Sequence, residues 1–434
     1  MLVIVFLMLS YPLQVMTMSP LPSLIPYLLF CIIFIIHSID SDLDRKSFVF
    51  NKNINMMLLI YIILFVIHFF WKLLFGVVTL KILISSIVLY VFPLLFYFYF
   101  GKYGTVKEFR SVLIAILICG IISGVYFVYD SYSMFILKNV NEYSKQVLEY
   151  VLFRQPDLVD PNVSRMTIGY RSHGLLEKHS ISAAWISIGC FASLVLISKK
   201  FIKSRISIIF FFFCILIVSL NYSALAAFIF IILFVEFKGY LIIMGRFSKI
   251  GIKQIYYSLL LFLLIMVVLV INFEPIFDII SSYTRFQLDL LYGKNLLASN
   301  DTLIGSIFKD TINYPKHMIK FPPGIVIGDG FSPGWGVYLD GGDLGLVETL
   351  HHLGLPFFIA SIFGLSILIK SALVNVQNNL LLDSDSVKYL TFAVSVILYL
   401  FITSIHYTTW SAKSIFPLFM IVIAIFPRFS FIRK

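Results

Sequence analysis

The stretch Ile206-Ser-Ile-Ile-Phe-Phe-Phe-Phe-Cys-Ile-Leu-Ile-Val-Ser-Leu220 runs through Asn221-Tyr222 into Ser223-Ala-Leu-Ala-Ala-Phe-Ile-Phe-Ile-Ile-Leu-Phe-Val-Glu-Phe237. Read as one long apolar helix, it crosses a bilayer once. Read as two helices, it turns at Asn221 and comes back, and every later segment changes side. The flanking charges favour the turn. Lys199, Lys200, Lys203 and Arg205 precede the stretch, and Lys238, Arg246, Lys249 and Lys253 follow it. Basic residues collect on the cytoplasmic side of membrane segments, and only a hairpin puts both clusters there.

The same rule orders the rest of the chain. Apolar segments at 2–18, 20–38, 55–74, 80–99, 111–129 and 180–198 lie before the hairpin spans 206–220 and 222–237. Segments 255–272, 353–369, 389–407 and 412–427 come after it. Most have the length a bilayer requires. With the N-terminus inside, the remaining cytoplasmic segments hold Arg45, Lys46, Lys52, Lys102, Lys107, Arg110, Lys370, Lys388, Arg428, Arg433 and Lys434. The short outer loops near 19, 75–79, 221 and 408–411 hold no basic residue. The expected architecture is all-α: a polytopic membrane protein with about twelve transmembrane helices and both termini cytoplasmic. It divides into helices one to five (1–129), a first large outer loop (130–179) and helices six to nine (180–272). A second large outer loop (273–352) then leads to helices ten to twelve with the C-terminus (353–434).

Composition agrees. Of 434 residues 60% are hydrophobic and 13% charged, and the mean hydropathy is +0.98. A water-soluble fold of that composition would expose an untenable apolar surface. The net charge of +11 sits in short clusters between apolar spans, which argues for topology signals and against a nucleic-acid partner. Met1 to Met18 has no basic leader and no convincing small-residue cleavage site, so it reads as a retained helix. Cys31, Cys119, Cys190 and Cys214 all fall in apolar spans and read as packing residues, with no disulfide and no metal site expected. Polar residues inside spans are sparse, and those weighed for function are His37, His68, Lys72 and His406. A proton-coupled transporter would carry a run of buried acids or arginines there.

Polar chemistry concentrates instead in the two outer loops. The first contains a plausible amphipathic surface stretch at Asn139–Phe153. It ends in Arg165-Met-Thr-Ile-Gly-Tyr-Arg-Ser-His-Gly-Leu-Leu-Glu-Lys-His179, which gathers Arg165, Arg171, His173, Glu177, Lys178 and His179 at a membrane boundary. Guanidinium groups stay charged and hold phosphate oxygens in a bidentate fork. Gly174, three residues after Arg171, permits close backbone approach. The plainer alternative is a set of interfacial residues anchoring a helix end. The second loop carries Arg285 and a glycine-rich stretch from Gly324 to Gly336 that is neither a phosphate-binding loop nor a dinucleotide fingerprint. Beyond it lies Asp340-Gly-Gly-Asp-Leu-Gly-Leu-Val-Glu-Thr-Leu-His-His-Leu-Gly354. On a helix, Glu348 and His352 share a face, with His351 close by. A carboxylate beside an imidazole suits a general base for a hydroxyl. As metal ligands they lack a third partner, and as a plain helix start they would have Asp343 for a cap.

Taken together, these features resemble the O-antigen polymerase and O-antigen ligase group of bacterial integral-membrane glycosyltransferases. The resemblance rests on about twelve spans with two large loops, Arg171-Ser-His-Gly174 ahead of a span, and the polar turn Ser219-Leu-Asn-Tyr-Ser-Ala224. Gly328-Asp-Gly330, Asp343-Leu-Gly-Leu and Gly354 complete it. In such families the turn often carries an arginine; here Asn221-Tyr222 stands in its place. The resemblance implies a GT-C-like, metal-independent and cofactor-free transferase in the cell inner membrane, with periplasmic loops. Its substrate would be an undecaprenyl-diphosphate-linked oligosaccharide, with membrane lipid around it and a chain-length regulator protein as a partner. Arg171 and Arg285, helped by Arg165, would hold the diphosphate. His352, His351 or Glu348 would be the base, and His173, His179 and Asp343 are further loop candidates. A polymerase is favoured over a ligase, because the second loop lacks the histidine followed by asparagine that is usual in ligases. The competitor from another class is a polysaccharide or lipid-linked-oligosaccharide flippase.

Overall fold

The computed structural model describes residues 1–19, 21–40, 52–74, 87, 90–137, 141–154, 174–176, 179–197, 201–219, 221–236, 354–378, 385–404, 412 and 414–430. Regular structure among them is helical throughout. α1 is Leu2–Thr17, followed by a 3-10 turn at Leu21–Leu24, α2 at Ile25–Asp40 and α3 at Lys52–Leu74. Then come α4 (Pro93–Tyr103), α5 (Val106–Phe135), α6 (Glu142–Arg154) and α7 (His179–Leu196). The remainder are α8 (Ile202–Val218), α9 (Tyr222–Glu236), α10 (Leu355–Asn378), α11 (Asp385–Thr403) and α12 (Phe416–Ser430). Among the described residues two segments, Val106–Ser133 of α5 and the whole of α7, are long and apolar enough to cross a membrane.

The stretch on which the topology turned is indeed two helices. Ser219 closes α8, and the Asn221 side chain opens α9 by accepting from Ala224 N at 3.1 Å and from Ser223 Oγ at 2.9 Å. An Asn cap satisfies amides that the first turn of a helix leaves unpaired. Helices and expected spans do not otherwise correspond one to one. α6 coincides with the amphipathic stretch between spans five and six. The expected span 255–272 lies outside the described residues, as does much of 80–99, whose second half enters α4. α5 also continues to Phe135, past the expected exit at 129. Asp130, read from sequence as the first loop residue, is inside the helix and buried. A charge ends a span only when it must reach water, and this one has protein partners.

α7 is the hub. It packs against α5, α8, α9 and α11, and nearly all of its residues are buried. Small residues permit this: Ser182, Ala183, Ala184, Ser187, Gly189 and Ala192 fill much of its length. At its crossing with α5, a Cβ on Gly120 would come within 2.9 Å of the Gly189 Cα and the Trp185 carbonyl oxygen. Backbone approach of this kind is how helices bind one another where no water drives them together. Aromatic rings do comparable work between α2 and α4. Phe30 stacks on Phe96 with centroids 3.8 Å apart, and Tyr27 meets Phe92 and Phe96 edge-on at 6.4 Å.

Side-chain contacts sort the helix termini into two ends. Trp185, in the second turn of α7, donates to Ser414 just ahead of α12 at 3.2 Å. Tyr61 touches Phe357 at the start of α10 and Phe416 at the start of α12, at 6.3 and 6.1 Å. At the other end, Tyr389 of α11 donates to the Val106 carbonyl of α5 at 3.1 Å and stacks on Phe429 of α12 at 5.0 Å. There too, Arg205 of α8 donates to the carbonyls of Leu194 and Ile197 at the end of α7. The first end, where the chain returns to α7 and α10, is the loop end. The second holds Lys102, Lys107, Arg110, Lys203, Arg205, Lys388 and Arg428 in its terminal turns. Between the ends, the outward faces are apolar: Ile114, Ile118, Ile121 and Val125 are exposed along α5, and Ile206, Phe210 and Ile217 along α8.

Candidate active site at the loop end

The amphipathic helix α6 is bound to the loop end by polar groups, starting with Asn141. The Asn141 Oδ1 accepts from Ser144 N at 2.8 Å and from the Tyr126 hydroxyl at 3.2 Å, while its Nδ2 donates to Asp130. Ser144 Oγ donates to the same carboxylate at 3.0 Å. Asp130 is 1% exposed, so these bonds replace the water that a carboxylate otherwise needs. Further along α6, Tyr150 donates to Gln14 of α1 at 3.0 Å, and the Tyr11 ring stands edge-on to it at 6.1 Å. Tyr143 donates to the Leu175 carbonyl at 2.8 Å. Burial pushes the Tyr143 phenol above its ordinary value, and Tyr11, Tyr126 and Asp130 act in the same direction. The hydroxyl therefore keeps its proton and remains a donor.

That bond brings the chain back to α7. Gly174 has φ +72°, and a Cβ there would meet Ser182 Oγ at 2.5 Å and the Phe127 ring at 2.9 Å. Only glycine adopts this left-handed turn in so little room. Ser182 holds the next residues, with Leu176 N donating to its Oγ at 3.2 Å, and Ser123 of α5 donates to its carbonyl at 3.3 Å. His179 then opens α7 and is buried. The second return also carries a left-handed glycine, but next to its helix, whereas Gly174 lies five residues before α7. Gly354 has φ +75°, sits directly ahead of α10 and accepts from Phe358 N at 3.0 Å. Both helices thus begin at the loop end behind a left-handed glycine, with the positive ends of their dipoles there.

Of the sequence-derived candidates, His179 is the one the structure describes, at the first position of α7. Arg165, Arg171, His173, Arg285, Asp343, Glu348, His351 and His352 lie outside the described residues, as do Glu177 and Lys178. Of the intramembrane candidates, the side chains of His37, His68 and Lys72 and all of His406 also lie outside them. The four cysteines are free thiols, with Cys119 and Cys190 buried. No group of three or more His, Cys, Asp or Glu among the described residues is placed to hold a metal ion.

The groups that fasten α6, namely Gln14, Asp130, Asn141 and Ser144, are not among the sequence-derived candidates. Two signals pointed to them. Asn141-Glu142 is a helix-start pair, and Gln14 is a lone amide in an apolar span, where an unpaired polar group is costly. Compared with protein-family models the chain matches none, and a search of curated proteins finds no significant match.

Proposed function

We propose that the chain is a multi-pass protein of the bacterial inner membrane that polymerises surface polysaccharide from lipid-diphosphate-linked repeat units. The observation carrying this reading is the pair of left-handed glycines, Gly174 and Gly354, each tying the end of a large loop to a helix start at one end of the bundle. Covalent continuity leaves Arg171 no more than about 11 Å of extended chain from Gly174, and His352 about 7 Å from Gly354. A twelve-span topology with both termini cytoplasmic draws support from the basic residues gathered at the opposite end. The exposed apolar faces of α5 and α8 favour a bilayer over water.

In the proposed reaction the growing glycan arrives on its undecaprenyl diphosphate. Arg171 and Arg285, with Arg165, hold the diphosphate oxygens through charge-assisted forks. The starts of α7 and α10 add positive potential for the same anion. His352, His351 or Glu348 takes the proton from a sugar hydroxyl on the next lipid-linked unit. That oxygen bonds to the anomeric carbon of the growing glycan as the carbon–oxygen bond to the diphosphate breaks. The lipid diphosphate leaves with the electron pair, its charge held by the arginines.

Deleting the gene and analysing surface polysaccharide tests this directly. Loss of a polymerase leaves core bearing a single repeat. Core with no repeat would mark a ligase instead, and halted export a flippase. Arg171→Ala and Arg285→Ala should each reproduce the single-repeat phenotype at normal protein levels. Wild-type chain lengths in both would overturn the assignment of these arginines.

A further inference from the structure

The face that α5 turns away from the bundle changes character along its length. Lys107 and Arg110 are exposed in its first two turns, and Ile114, Ile118, Ile121 and Val125 follow, also exposed, at spacings of three or four. Residues so spaced share one helix face. From Arg110 to Ile121 the helix rises about 16 Å, close to the hydrocarbon depth of one leaflet. α5 also contains one of the two described segments long and apolar enough to cross a membrane.

Neither cation forms a salt bridge among the described residues. Glu108, the acid between them, is committed to the helix cap: its carboxylate accepts from Thr105 N at 2.6 Å and from the Tyr99 hydroxyl at 3.4 Å. A cation in the first turn also opposes the helix dipole, so an anion placed here relieves both charges. The start of α8 offers a contrast. Its Lys203 is exposed ahead of Ile206 and Phe210, but Arg205 turns inward to the carbonyls at the end of α7. Of the two helices, α5 is the one whose paired cations head an apolar face.

We infer that this face of α5 binds one anionic phospholipid. Lys107 and Arg110 hold its phosphate, and one acyl chain lies along Ile114, Ile118 and Ile121. Positive charge at the head and apolar surface of leaflet depth behind it match that molecule; a soluble anion would leave the isoleucines unused. The inference rests on α5 crossing the bilayer and is independent of transferase activity.

The test uses the full-length protein in phosphatidylcholine nanodiscs doped with phosphatidylglycerol that carries a diazirine midway along one chain. A reference arm carries the same tag on phosphatidylcholine, which has the same phosphate and chains but no net charge. Labelling of Ile114 and Ile118 should be roughly twentyfold stronger from phosphatidylglycerol, and Lys107→Gln or Arg110→Gln should each lower that preference about fivefold. Lys203→Gln removes a charge from the same end but not from this face, and should leave the preference unchanged. Untagged phosphatidylglycerol should suppress the labelling and inorganic phosphate should not; this competition needs no variant. Equal labelling from the two lipids, an equal fall in Lys203→Gln, or displacement by inorganic phosphate would overturn the inference. Cross-links joining two copies of the chain through this face would also overturn it.

Discussion

Gly174 shows how much one residue can decide at this end of the molecule. Alanine there would carry about 1–2 kcal/mol of left-handed backbone strain, and its Cβ would press on Ser182 and Phe127. Gly174→Ala should therefore shorten surface glycans and lower the thermal melting point in detergent; unchanged melting would remove the steric argument. Asp130 can be tested separately. Asp130→Ala strands the Asn141 amide and the Ser144 hydroxyl, a loss of about 1–3 kcal/mol, whereas Asp130→Asn keeps an acceptor oxygen and should recover most of it. Equal melting points for the two variants would contradict the bonding described. At this scale Gly174 drew attention in the sequence for close backbone approach, and the structure gives it a left-handed turn against Ser182 and Phe127. The sequence was not legible for Asp130 or Arg205. A charge near a span end looks the same in sequence whether it faces water, as expected for both, or a buried partner, as both have.

Helices were more readable than their bounds. The apolar runs and the Asn221 turn located α1, α2, α3 and α7–α12, because an unbroken apolar run of this length pairs its own backbone groups as a helix. Their ends depend on caps and docking partners. The Thr105–Glu108 capping box starts α5 five residues before the expected span, and the docked α6 lets it run past Asp130. The α5–α7 crossing offers a test at this scale. Gly189→Leu would force a side chain toward Gly120, whose Cα already lies 2.9 Å from the position of a Cβ. Overpacking of this kind costs about 1–3 kcal/mol, and because α7 is the hub, the loss should appear as a lower melting point of the whole protein. A wild-type melting point would show that the two helices separate freely.

For the whole molecule, alternating charge read from the sequence anticipated an arrangement in which one end is basic and the other receives both large loops. Contacts across the bundle bring the starts of α7, α10 and α12 to one end and the starts of α5 and α11 with the end of α12 to the other. The residues proposed for chemistry on the loops lie outside the described residues, and a pairing of two distant loops leaves no local trace in a sequence. Purified protein in nanodiscs tests most directly whether this end joins glycans from lipid diphosphates, as proposed. Supplied with undecaprenyl-diphosphate-linked repeat units and a metal chelator, the wild-type chain should produce lipid-linked glycans of two or more repeats. It should release one undecaprenyl diphosphate per bond formed, and Arg171→Ala should abolish both products. Repeat units left unjoined by the folded wild-type protein, with and without the chelator, would contradict the proposal.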